Sequence, residues 1–126
     1  MDTLLFFDAH RAAIPLFAAL EKTIFARFPE AKKRVQKTQI TYYHRHVFAC
    51  VSFARVKRMA ELPETWLTLT LGLPYPLESE RVAVKTEVYL GRWTTHLMIG
   101  SKEELDDELL EWLEQAYAFS ESKGRA

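Results

Sequence analysis

Trp66-Leu67-Thr68-Leu69-Thr70-Leu71 alternates apolar and polar side chains with only the leading tryptophan out of class. A period of two belongs to a β-strand, whose successive side chains leave opposite faces; Leu67, Leu69 and Leu71 therefore mark a core face, and Trp66, Thr68 and Thr70 the other. A strand so unequal on its two sides fits an antiparallel sheet, which can be packed on one face and open on the other. Gly72-Leu73-Pro74-Tyr75-Pro76 then breaks the strand and starts a loop.

The same period appears on both sides of this strand. In Arg34 to Tyr43, Ile40 and Tyr42 fall on one face with Thr38, and Lys37, Gln39, Thr41 and Tyr43 on the other. Val47 to Arg55 is rich in β-branched and aromatic residues, and His44-Arg45-His46 is the natural turn of a hairpin between the two runs. Downstream, Val82, Val84, Thr86, Val88 and Leu90 share one face of a strand, and Trp93, Thr95, Leu97 and Ile99 one face of the next. Gly91 between them supplies the turn, where a positive φ is cheap for glycine.

Two stretches have helical spacing instead. Phe17, Leu20, Ile24 and Phe28 form one stripe across Pro15 to Phe28, with Pro15 in the first turn and Pro29 as the stop. Ser101-Lys102-Glu103-Glu104 matches a capping box, and Leu105, Leu109, Trp112, Leu113 and Ala116 continue as a stripe behind it. Ser120 to Ala126 is small and polar and reads as a frayed tail. The fold expected is a single α+β domain over 1–126 with its core at about 10–119: a five-stranded antiparallel sheet flanked by an N-terminal and a C-terminal helix, both packed on the leucine face.

Composition narrows the function classes. Seventeen basic and seventeen acidic residues cancel in a chain of 126, so a net positive field that would attract nucleic acid is missing. The single cysteine, Cys50, has no intramolecular disulfide partner and suits a reducing compartment. Met1 to Asp8 has no basic start and an apolar run about half the length of a signal h-region, and nothing approaches the roughly 18 apolar residues of a membrane span. A cytoplasmic protein without a membrane partner is expected.

Several phrases together carry a resemblance: Lys37-Thr38-Gln39-Ile40, Leu69-Thr70-Leu71-Gly72-Leu73, Arg81-Val82, Gly91-Arg92-Trp93-Thr94 with His96, and Leu105-Asp106-Asp107-Glu108-Leu109-Leu110 with Trp112-Leu113 and Ala116-Tyr117. From about Phe17 to Tyr117 the chain resembles the bacterial domain-of-unknown-function 5655 family. The resemblance implies a fold and a bacterial cytoplasmic setting, and no activity. Thr95 stands where a second histidine is expected beside His96, and Leu90 where a proline is expected before the glycine.

Projected onto the open face, the two-residue period collects Lys37, Gln39, Thr41, Tyr43, Trp66, Thr68, Thr70, Lys85, Glu87, Tyr89, Arg92, Thr94 and His96. From these, Lys37, Gln39, Trp66, Glu87, Tyr89, Arg92 and His96 are the candidate ligand-binding set, with Trp66 and Tyr89 stacking on a planar group while Lys37, Arg92 and His96 meet an anion. The same side chains are also good strand formers that can simply pair across strands. The expected function is a non-enzymatic binding module for a small anionic molecule or a protein partner, a homodimer included.

Two other constellations compete. Glu103, Glu104, Asp107, Glu108, Glu111 and Glu114 make an acidic stripe that is similar to the ridge of frataxin-like iron chaperones, the alternative being an exposed helix face whose early acids suit the dipole. His44 and His46, two apart on a strand, have the geometry of half a metal site but no neighbouring ligand completes it. No serine lies in a nucleophile elbow and no glycine-rich phosphate loop exists, which leaves His96 with Glu87 as the remaining acid–base pairing and an enzyme as the third reading. No catalytic residue, metal ligand or cofactor is assigned.

Overall fold

The computed structural model of the chain describes residues 3–56 and 62–122. Its helices are α1 (Thr3–Phe6), α2 (Ile14–Arg27) and α3 (Asp107–Ser122), and its strands β1 (Lys32–Val35), β2 (Gln39–Tyr43), β3 (Val47–Ser52), β4 (Leu67–Leu73), β5 (Val82–Tyr89) and β6 (Arg92–Ile99). The strands form one antiparallel sheet in the order β1-β2-β3-β4-β6-β5.

The sheet has six strands rather than the five expected, because the Arg34 to Tyr43 stretch is itself a hairpin. Val35 pairs with Ile40, and the Gln36 N–H donates to the Gln39 carbonyl at 2.9 Å to close the turn. Lys37 and Thr38 are turn residues, so the period of two does not run through them. The short β1 carries Lys32, Lys33 and Arg34 along its length, a charged edge of the kind that discourages further strand pairing.

The leucine face is the core. Ile40, Val51, Leu69 and Leu97 lie side by side across four strands and are all buried. Phe17, Leu20 and Ile24 of α2 and Leu109, Leu113 and Ala116 of α3 belong to the same cluster, as both helical stripes predict. Each large apolar side chain buried this way contributes about 1.5–3 kcal/mol.

The start of α3 differs from the capping-box reading. Ser101 makes no cap; Lys102–Glu104 is a 3₁₀ turn in which the Glu104 carboxylate accepts the Gly100 N–H at 2.8 Å. The helix proper is capped by Asp106, whose carboxylate accepts the Leu109 N–H at 3.0 Å. At the other end the helix runs to Ser122 with Ser120 buried, so the expected frayed tail is ordered that far; 123–126 lie outside the described residues.

β5 has the opposite phase to the one its valines suggest. Val82 pairs with Leu97, but the register slips at Ala83 and Val84 pairs with His96. The extra residue of such a bulge moves the side chains that follow to the other face, until a second irregularity between Glu87 and Tyr89 returns Tyr89, the partner of Arg92, to the open side. Val84 and Thr86 therefore lie on the open side, while Lys85 and Glu87 lie on the helix side beside Thr95 and Trp93.

Candidate functional site

The centre of the open face is a row of small polar side chains. Thr41, Cys50, Thr70 and His96 are consecutive partners across β2, β3, β4 and β6. The Thr70 hydroxyl lies 2.8 Å from His96 Nδ1, and the Thr41 hydroxyl 3.9 Å from Cys50 Sγ. Burial holds the His96 imidazole below its ordinary range and pushes the Cys50 thiol up, against a smaller opposite effect of the Thr41 hydroxyl. The row is thus neutral at physiological pH, and a recess of about 300 Å³ opens beside Cys50, Thr70 and Thr94. It offers hydrogen bonds and no charge.

The seven residues predicted to bind a ligand do not form one constellation. Trp66 precedes β4 and is only 9% exposed, so little of its ring is available to a ligand. Its ring meets Phe53 edge-on at 5.6 Å and His10 at 6.1 Å, inside an aromatic cluster that the strand period cannot reveal because α1 supplies part of it. Glu87 faces the other way because of the Ala83 bulge, and its carboxylate accepts the N–H of Gly91, whose φ is 76°. Tyr89 and Arg92 are paired beside that turn, with the guanidinium 5.7 Å from the Tyr89 ring. Arg92 shares a face with His96, but four residues of strand separate them by about 13 Å.

Lys37 and Gln39 belong to a different place, the end of the sheet where the β1–β2 turn meets the exit of β3. A recess of about 450 Å³ there is lined by Phe6, Lys37, Thr38, Gln39, Ser52, Phe53 and Ala54. Gln39 is held by a small network: its amide donates to Gln36 Oε1 at 3.2 Å and to Thr41 Oγ1 at 3.4 Å, and the Thr41 hydroxyl donates to Gln36 Oε1 at 3.0 Å. The Lys37 ammonium makes no ion pair with any described residue. Phe53 is fixed by ring stacking on His10 at 3.9 Å and on Phe6 at 5.6 Å. Gln39 pairs with Ser52, Ser52 with Thr68 and Thr68 with Met98, so the recess runs onto the open face beside the Thr41 row. Phe6 and Phe53 do not stand out in the sequence as site residues; α1 brings Phe6 to Lys37, and Phe53 follows the end of β3, whose Ser52 pairs with Gln39.

Several of the remaining charged residues are engaged within the fold. His44 lies between Glu121, at 3.0 Å from Nδ1, and Glu30, at 3.3 Å from Nε2, while His46 is exposed in the turn. Within the acidic stripe, Glu108 pairs with Arg81, Glu114 with Arg27, and Glu104 with the Gly100 N–H. Among the described residues no three His, Cys, Asp or Glu side chains are grouped so as to hold a metal ion, and no helix is long and apolar enough to cross a membrane.

The sequence profile of the family described as a domain of unknown function (DUF5655) matches residues 5–120, nearly the whole chain, so the protein belongs to that family. No curated protein and no solved structure gives a significant match.

Proposed function

We propose that this member of the DUF5655 family is a non-enzymatic binding module of the bacterial cytoplasm, and that it holds a small anionic molecule with an apolar part in the recess at Lys37. The observation that carries the reading is the company Lys37 keeps. Its ammonium has no ion pair among the described residues, yet it stands at a recess of about 450 Å³ walled by Phe6 and Phe53. A few convergent polar groups on an apolar wall are what a small-molecule site requires. Gln39 and Ser52 add hydrogen-bonding capacity on the sheet side.

Binding rather than catalysis is favoured by the chemistry of the open face. A thiol pushed up by burial is a poor nucleophile, and among the described residues His96 has no carboxylate to orient it, since Glu87 lies on the opposite side of β5. The metal-carrier alternative has less support, because Glu104, Glu108 and Glu114 already serve partners within the fold. The cytoplasmic setting rests on the family resemblance and on Cys50 being a free thiol.

The test is a thermal-shift screen of aromatic carboxylates, phosphate esters and nucleotides, followed by calorimetry. A ligand at 100 times its dissociation constant should stabilise the fold by about 2.7 kcal/mol. Lys37→Glu should abolish binding, and Gln39→Ala should weaken it. Trp66 should report the event in a Trp93→Phe, Trp112→Phe background, because its ring packs on Phe53, which lines the recess. A screen without hits, or a ligand indifferent to Lys37→Glu, would remove the reading.

A further inference from the structure

β5 closes the sheet on the side opposite β1, and the two edges are unlike. β1 has four residues and three positive charges, whereas β5 has eight residues and only Lys85 and Glu87. Among the described residues, Val84, Val88, Tyr89 and Leu90 of β5 and its turn are 40%, 53%, 67% and 97% exposed, and only Leu5 and Val47 elsewhere are large hydrophobics exposed to a comparable degree. An edge strand that is long, apolar and without a protecting run of charge is a template for another strand.

The two charges of β5 say which strand. Lys85 and Glu87 lie on the same side of the sheet, one on each flank of Thr86. We infer that the β5 edge pairs antiparallel with β5 of a second copy about a two-fold axis at Thr86, joining two six-stranded sheets into one. In that register Lys85 stands opposite the partner's Glu87 and Glu87 opposite the partner's Lys85. On the open side, Thr86 meets the partner's Thr86. Opposite charges and Thr–Thr pairs are favourable cross-strand combinations, and the two-fold axis gives the Lys85–Glu87 pair twice and the Thr86 pair once.

Existing contacts leave both charged groups capacity for the partner. The Lys85 ammonium donates to the Leu77 carbonyl at 3.2 Å and to Glu78 at 2.8 Å, which leaves one of its three N–H bonds. The Glu87 carboxylate accepts the Gly91 N–H at 3.1 Å through Oε2, which leaves Oε1. The Lys37 recess lies toward the opposite edge of the sheet, so pairing through β5 does not obstruct it.

Sedimentation velocity over a micromolar concentration series, with a charge-swap set, tests the arrangement. The wild-type chain should pass from monomer to dimer within the series. Lys85→Glu sets two carboxylates against two, Glu87→Lys sets two ammoniums against two, and each should weaken dimerisation on the order of tenfold or more. An equimolar mixture of the two single variants is again complementary and should form the heterodimer, and the double variant K85E/E87K should recover self-association. Circular dichroism melts establish that each variant is folded. A wild-type chain that stays monomeric throughout, or a dimer that the single swaps do not weaken and the mixture does not restore, would overturn the proposal.

Discussion

Thr70 and His96 face each other across β4 and β6, with the threonine hydroxyl 2.8 Å from the imidazole Nδ1. Partial burial of this pair disfavours the imidazolium, and the His96 pKa lies below its ordinary 6.5 in the folded protein. The folded chain therefore binds fewer protons than the unfolded chain once the pH drops below 6.5. Stability is unaffected by His96 above that value and falls as the pH descends from it toward the lower folded pKa. Urea titrations from about pH 7.5 to about pH 5.5 should show this loss, and His96→Gln should reduce it. Asp106 and Glu121, whose carboxyls are also held low, titrate at more acidic pH and do not enter the window. Equal pH slopes in the two proteins would show that His96 is not responsible.

Arg81 ties the entry of β5 to the start of α3. Its guanidinium donates to both Asp106 oxygens at 2.9 and 3.1 Å, to Glu108 at 3.1 Å and to the Glu104 carbonyl at 2.6 Å, and it lies 5.3 Å from the Trp112 ring centre. Asp106 and Glu108 are about half exposed, at 48% and 56%, so solvent screens the ion pairs and each is worth less than about 1 kcal/mol. The carbonyl bond and the ring contact add to them. Arg81→Ala should cost about 1–3 kcal/mol in chemical denaturation. Arg81→Lys should recover under half of that, because an ammonium cannot reproduce the fork of donors. A full recovery would mean that charge alone matters there.

Thr95 lies on the helix side of β6, fully buried, and its hydroxyl has no hydrogen-bond partner among the described residues. A buried polar group left unpaired is destabilising, and valine matches threonine in shape while removing the hydroxyl. Thr95→Val should raise stability by about 1 kcal/mol, read as a higher urea midpoint at unchanged slope. A loss of stability would show that the hydroxyl has a partner that the described residues do not contain.

The parts of this fold that were legible in the sequence are those where one physical effect dominates. Leu67, Leu69 and Leu71 and the Leu97–Ile99 strand are buried on one side by both helices, so their alternation records the core face directly. β5 misleads because it is an edge strand: Val84 and Val88 are exposed, hence their presence does not mark a core, and the Ala83 bulge has no sequence signal of its own. The β1–β2 turn is hidden because Gln36-Lys37-Thr38 lacks the glycine or asparagine that usually marks a hairpin. For the candidate site, the alternation groups Lys37 with Gln39, although Lys37 lies in the β1–β2 turn and not on a strand, while Phe6 comes from α1, which no strand period encodes. Trp66 was misplaced for the same reason, since its aromatic partners come from outside its strand.

Adjacent residues of β4 provide the sharpest check on the two faces. Leu69 is fully buried between Val51 and Leu97 beneath the helices, and Leu69→Ala should cost about 2–5 kcal/mol through lost transfer energy and a residual cavity. The alternation alone implies that Thr68, on the opposite face, tolerates truncation freely. The structure makes that expectation too lenient: Thr68 is also fully buried, and its hydroxyl donates to the Ala54 carbonyl at 2.7 Å. Thr68→Val keeps the volume and removes the bond, at a cost of about 1 kcal/mol, since Ala54 itself is exposed and its carbonyl can turn to water. Thr68→Ser keeps the bond and loses one methyl group, at a similar cost. Urea denaturation of the three variants should therefore place Leu69→Ala well below both threonine variants. If Thr68→Val proves as damaging as Leu69→Ala, the hydroxyl bond to Ala54 organises far more of the chain after β3 than a single hydrogen bond would.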